Sequence, residues 1–316
     1  MYIMKFYLLT SNSLEGLVLN SQIIPPEDMV VVINTLDDDY LNYAEEYCVE
    51  NKLEYFITLS DGTPATGKNS VIKLFLESDN DYMVQIDGDD FITPRGYRLY
   101  KSVAQHPTPP DMIVHYRQPR MTTGLDLEYI THLCEDLTKI TDEDLKISEL
   151  SYPCDKSDKQ YKTQVYETLL WHFITKVHLD AVTSHNWALD RVEFNNIMNT
   201  FSEVKEYMTR MVFYSRSIAK EVNFNKDLLI GEDTLQFLQL KKMGLDGKYN
   251  VVRRKENRYP TYVTVENSQS VTKTKSLINY WGWMRPLIDE INILRETDKL
   301  PEPYKSLPEF IDDTYT

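Results

Sequence analysis

The 316-residue chain contains no apolar run of about 18 residues, so no segment of it is long enough to cross a bilayer as a helix. Cysteine is scarce. Cys48, Cys134 and Cys154 are odd in number, far apart and without metal-type spacing, which points to free thiols in a reducing compartment. Positive charge is outnumbered, with 34 Lys and Arg against 49 Asp and Glu for a net charge of −15. That balance argues against a broad basic footprint for nucleic acid and against charge-driven docking on anionic lipid, although a local groove needs only a few placed cations. Met1–Thr10 reads as an alternating strand without a signal-peptide cleavage pattern, so the expected address is cytoplasmic. Internal repeats and low-complexity tracts are absent, and no histidine follows His185.

What is present suits a globular α/β protein. The chain is long enough for one large domain or two moderate ones. Residues 4–10 form a first strand ending in the polar cluster Thr10-Ser11-Asn12-Ser13. Met29–Ile33 is a continuous β-branched run of the kind buried on both faces. Asn34–Asp39 caps a helix with Leu41, Ala44 and Cys48 on one stripe. The short strand Tyr55–Leu59 leads into a loop, Ser60–Asn69, and a helix carrying Val71, Leu74 and Phe75. A buried strand, Tyr82–Ile86, follows, then a helix opened by Pro94 and a strand at Met112–Tyr116. This alternation predicts a mostly parallel, Rossmann-like sheet with right-handed crossovers and flanking helices. The texture divides the chain into an α/β half (1–119), an acidic insertion or lid (120–160), a second half (161–250) and a helical extension (251–316). His172, His178, His185, Trp171 and Trp187 read as core or surface residues, because no metal-type pairing spaces the histidines on one helix face.

The strand Tyr82–Ile86 runs into Asp87-Gly88-Asp89-Asp90. Open α/β sheets bind ligands outside the carboxyl ends of their strands, and carboxylates crowded there need a cation or a hydrogen-bond network. The Asp-x-Asp spacing decides nothing alone, since it recurs at Asp37/Asp39, Asp79/Asp81 and Asp142/Asp144. A second phosphate-site candidate is Gly62–Lys68, which satisfies G-x-x-x-x-G-K and supports an alternative reading as a P-loop phosphotransferase. Asn69 stands where that motif needs a hydroxyl, and Pro64 removes one of its cradling N–H groups.

Taken together, Val32-Ile33-Asn34, Thr66-Gly67-Lys68-Asn69, the helix Val71–Leu76, and Asp87-Gly88-Asp89-Asp90-Phe91 with Pro94 resemble the nucleotide-sugar-binding half of GT-A fold glycosyltransferases of the family-2 type. Phe224–Asp233, an apolar lead-in to Gly231-Glu232-Asp233, resembles that family's second signature. The resemblance covers roughly residues 10–250. It implies a metal-dependent transfer of a sugar from a nucleotide-sugar, with UDP the expected carrier, to an acceptor hydroxyl with inversion. Mn2+ or Mg2+ would be bound through Asp89, with Asp87 on the metal, its water shell or the ribose. Thr10, Asn34, Asp61, Lys68 and Asn69 would surround the nucleotide, with Asn34 reading the base. Lys68 stands in place of the family's usual Arg, near the diphosphate. Asp233 would be the general base and Glu232 its fallback. A third metal ligand, often a His in the family, has only Glu266, Asn267, Ser270 or Thr272 as substitutes here. The acceptor is expected to be a glycan or small molecule, with a hydroxylated base in phage DNA as the one route to nucleic acid.

Overall fold

The computed structural model describes residues 2–116, 120–122, 210–228, 232–242, 245–255, 261–266 and a few positions between 289 and 310. The expectations for the insertion beyond 122, for the histidines and tryptophans of 171–187 and for most of the extension fall outside these residues.

Among the described residues, seven strands form the main sheet in the order β3-β2-β1-β4-β8-β6-β9. They are β1 (Met4–Thr10), β2 (Met29–Ile33), β3 (Glu54–Ile57), β4 (Tyr82–Asp87), β6 (Met112–Tyr116), β8 (Arg210–Ser215) and β9 (Val251–Lys255). β1, β2, β3 and β4 pair in parallel, as do β6 and β9, while β8 runs antiparallel to both β4 and β6. The α/β class and the mostly parallel sheet are as the sequence predicts. A second, three-stranded sheet joins β5 (Phe91–Ile92), β10 (Tyr262–Glu266) and β7 (Arg120–Thr122). The last of these lies at the start of the segment expected to be an acidic insertion or lid.

Strand alternation sorts the core onto the two faces of the sheet. Phe6, Leu8, Val31, Ile33, Val84 and Ile86 face one side. There they meet α1 (Leu14–Ile23), α2 (Asp38–Glu50) and α4 (Pro94–Gln105) through Leu17, Ala44, Cys48, Leu99 and Val103. Tyr7, Leu9, Val30, Val32 and Met83 face the other. They cover α3 (Pro64–Glu77), α5 (Arg216–Ala219) and α6 (Glu232–Lys242) through Ala65, Val71, Phe75, Ile218, Phe237 and Leu240. Each fully buried aliphatic side chain contributes about 1.5–3 kcal/mol, which is why the central strands read as unbroken apolar runs. A four-residue helix, α7 (Leu245–Lys248), precedes β9.

Two helices differ from expectation. α1 follows directly on the polar cluster Thr10–Ser13, in a stretch to which the sequence reading assigns no element; Ser13 caps it, its side chain accepting from the Gly16 N–H. The loop expected to run to Asn69 ends at Thr63, which caps α3 by accepting from the Thr66 N–H, with Pro64 in the first turn. Proline fits there because its missing N–H has no partner to lose.

Candidate active site

β4 delivers Asp87 as its last residue, and a tight turn carries Gly88, Asp89 and Asp90 into β5. The Asp90 N–H donates to the Asp87 carbonyl at 2.9 Å. Gly88 is required by close approach, since a Cβ there would sit 2.5 Å from the Leu9 carbonyl oxygen and 2.6 Å from the Thr10 Cα. α1 holds the turn from below. Asn20, fully buried, donates to the carbonyls of Gly16 and Asp90 at 2.8 Å each and accepts from the Ile92 N–H at 3.1 Å.

Two cations converge on these acids from distant parts of the chain. Arg210 begins β8, and because β8 runs antiparallel to β4 its first residue lies toward the carboxyl end of β4. Its guanidinium ion-pairs both Asp87 and Asp90 and lies over the Tyr262 ring, 4.8 Å from the centroid. The Tyr262 hydroxyl donates to Asp90 at 2.9 Å and accepts from the Asp87 N–H at 3.1 Å. The other cation is Lys68 on α3, only 3% exposed. Its ammonium donates to Glu232 Oε1 and Asp233 Oδ2 at 2.7 Å each, and it lies 3.7 Å from Asp87 Oδ2. Glu232 and Asp233 occupy the first turn of α6, where the helix dipole favours negative charge.

The electrostatics follow from crowding. Burial alone would lower the Lys68 ammonium, but Asp233, Asp87 and Glu232 outweigh it and hold the group well above its ordinary value. Burial would raise Asp87, yet Arg210 and Lys68 keep it below the usual carboxylate range. Asp233 is pushed up to about 6 by burial, with Lys68 opposing and Glu232 and Asp87 adding. Asp89 is pushed up to about 7 by burial and by the charges of Asp90 and Asp87. Among the described residues Asp89 has no ion pair, and no three His, Cys, Asp or Glu side chains cluster as a ready-made metal cage.

The remaining sequence candidates lie along the strand ends or in α3. Both amide hydrogens of Asn34 are engaged, with the Thr58 hydroxyl and the Leu59 carbonyl at 2.9 Å each, and its backbone N–H donates to the Thr10 carbonyl at 2.9 Å. The Thr10 hydroxyl pairs with that of Tyr40. Asp61 caps the turn into α3, accepting from the hydroxyls of Thr66 at 2.6 Å and Thr63 at 2.7 Å, which lower it to about 2. Asn69 exchanges two 2.8 Å hydrogen bonds with the backbone of Phe224, and the Phe224 ring faces the Lys68 ammonium at 5.6 Å. Lys68, Asp87, Glu232 and Asp233 are thus brought together, while Asp61 lies in a separate, exposed turn.

Pro64–Lys68 is helical, so its free N–H groups are not arranged as a phosphate-cradling loop, and Lys68 is committed to carboxylates. That geometry does not support the P-loop alternative. Sequence reasoning missed Arg210, Tyr262 as a hydroxyl partner, and Asn20. No local pattern marks them, because each acts across strand or helix contacts between remote segments.

No family model matches the chain, and no curated protein matches it. Among solved structures it is similar to S. aureus TarS, at 14% identity and a TM-score of 0.45 over 93% of this chain and 40% of that one. It is also similar to S. aureus TarS 1-349 in complex with UDP-GlcNAc, at 13% identity and 0.46 over 93% of this chain and 67% of that one. A third is the mannosyltransferase PcManGT from Pyrobaculum calidifontis in complex with GDP-Man and Mn2+, at 12% and 0.40 over 85% and 57%. The chain spans less than half the length of TarS.

Proposed function

We propose that the chain is a GT-A type glycosyltransferase that moves a sugar from a nucleotide-sugar to an acceptor hydroxyl, with a divalent cation and with inversion. The observation that carries this reading is the meeting of Asp87, from the strand-end acids, with Glu232 and Asp233 around one buried lysine. Two acidic motifs far apart in sequence form one site at the carboxyl end of a central strand.

The residues fit Mg2+ or Mn2+. Such ions take one or two protein carboxylates and complete their shells with phosphate oxygens and water. Asp89, half-buried, without an ion pair among the described residues and raised to about 7, is an acid that a cation would hold ionised. Asp87, held by Arg210 and Lys68, is better suited to the ribose or to metal-bound water than to direct ligation. The bound cation would offset the charge of the diphosphate as it leaves.

At the base end, Asn34 supports a base that presents a ring N–H, as uracil and guanine do. Its amide hydrogens are spent on Thr58 and Leu59, so the side chain offers Oδ1, an acceptor. An acceptor matches the N3–H of uracil and mismatches the unprotonated N3 of cytosine. At the acceptor end, Asp233 has Oδ2 held by Lys68 and keeps Oδ1 to take the proton from the incoming hydroxyl. A base so placed contributes about 10²–10⁴-fold. The acceptor class follows the sequence expectation of a glycan or small molecule.

The test is a thermal-shift panel of UDP, GDP, CDP and ADP with and without Mn2+, followed by transfer assays on the sugar nucleotides of any base that binds. A ligand at about 100 times its Kd adds about 2.7 kcal/mol. UDP with Mn2+ is expected to stabilise most, and a panel without any response would sink the reading.

A further inference from the structure

The resemblance to family-2 enzymes assigns Lys68 to the diphosphate, as a substitute for arginine. Its surroundings argue otherwise. An ammonium has three N–H donors, and two of them are committed to Glu232 Oε1 and Asp233 Oδ2 at 2.7 Å. The third direction is bounded by Asp87 Oδ2 at 3.7 Å and by the face of Phe224, 5.6 Å from the ring centre. The side chain is buried, and Phe224, whose ring faces it, is pinned by two hydrogen bonds between its backbone and Asn69. A diphosphate oxygen would meet an ammonium that is 3% exposed, with two of its three donors already taken by carboxylates. Arg210, more exposed and already seated on Asp87 and Asp90, is the cation on the donor side.

We propose, resting on the glycosyltransferase reading above, that Lys68 is a positioning residue for the acceptor-side base and not a ligand of the donor diphosphate. By holding Oδ2 of Asp233 it turns Oδ1 of that carboxylate toward the place where the acceptor hydroxyl must sit. By holding Glu232 at the same time it keeps the neighbouring acid from competing for that place. The lysine therefore serves the rate of proton removal. It leaves the affinity for the donor to the strand-end acids, the cation and Arg210.

The experiment compares wild type, Lys68→Met and the double variant Lys68→Met/Glu232→Gln. The double variant removes one charge of each sign, so that the buried cluster does not unfold for want of compensation. Calorimetric titration with UDP and Mn2+ is run on all three proteins. UDP release from a panel of UDP-sugars, with water as acceptor, is measured as a function of donor concentration. The expected result is a UDP affinity within about 3-fold of wild type in both variants, with kcat down about 100-fold and KM for the donor little changed. A loss of UDP affinity of tenfold or more makes Lys68 a diphosphate ligand and overturns the proposal, as does an unchanged kcat. Wild-type protein that binds no nucleoside diphosphate overturns the glycosyltransferase reading, and this inference with it. Wild type that binds UDP while the variants lose it overturns the inference alone.

Discussion

Arg210 ion-pairs Asp90 across 120 positions of sequence, and the same guanidinium ion-pairs Asp87. Removing it would leave two buried or half-buried carboxylates facing Asp89 and Asp233 with one cation fewer. Breaking a buried pair from one side costs about 3–5 kcal/mol. Arg210→Ala is expected to lose that much in urea denaturation at pH 7. Arg210→Lys keeps the charge without the planar fork and should fall between the two. A loss under about 1 kcal/mol in the alanine variant would contradict the role assigned to the pair.

Asp89 makes metal-free stability pH-dependent in a definite direction. Its folded value of about 7 lies above the ordinary 3.8, so between those limits the folded protein holds a proton that the unfolded chain has released. The contribution of this group therefore falls as pH rises from about 4 to about 7. Asp89→Asn should flatten that part of the curve, and in the wild type added Mn2+ should flatten it too. Denaturant midpoints across the range would show it, and a wild-type curve unaltered by either change would refute it.

As the proposed base, Asp233 should set the pH dependence of the rate. A base works deprotonated, and burial raises this one to about 6 in the free protein. Activity expressed as kcat/KM should climb with pH through about 6 and level above it. Asp233→Asn should lower the rate by about 10²–10⁴-fold and remove the ascending limb. A full limb surviving in that variant would move the base to Glu232 or elsewhere.

The turn after β4 should be intolerant of small changes. Gly88→Ala drives a methyl into the Leu9 carbonyl and the Thr10 backbone, where overpacking costs about 1–3 kcal/mol. Asn20→Ala strips partners from the Asp90 carbonyl and the Ile92 N–H, at about 1–3 kcal/mol per stranded group. Both variants should also weaken binding of UDP with Mn2+, because they displace Asp89. Thermal melts with and without that pair would separate the two effects.

Much of the scaffold was legible because its signals are local. β1 and β2 stand where their β-branched and aromatic runs put them, and β4 ends at Asp87 as an apolar strand meeting acids should. α1 was not legible. Leu14, Leu17, Val18 and Leu19 are spread around the helix without a stripe, and its buried face includes Gly16 and Asn20, which are poor helix formers. α3 starts earlier than read because Thr63 and Pro64 look like loop punctuation and act as helix cap and first turn. In the site, the acids and Lys68 lie in recognisable local patterns, whereas the second counter-ion, Arg210, does not. Arg210 and Tyr262 arrive through strand pairings that no short window contains.

The place of β8 between β4 and β6 has a consequence for synthesis. Asp87 and Asp90 leave the ribosome well before Arg210, which is 120 residues behind Asp90. At about 5–20 residues per second that interval is roughly 6–24 s. During it the edge of β4 that pairs with β8 is open, and Asp87 and Asp90 lack Arg210. Until β8 docks, the nascent α/β half is an open sheet with its charges unbalanced, and that is the stage at which a chaperone or a mispaired strand would find it.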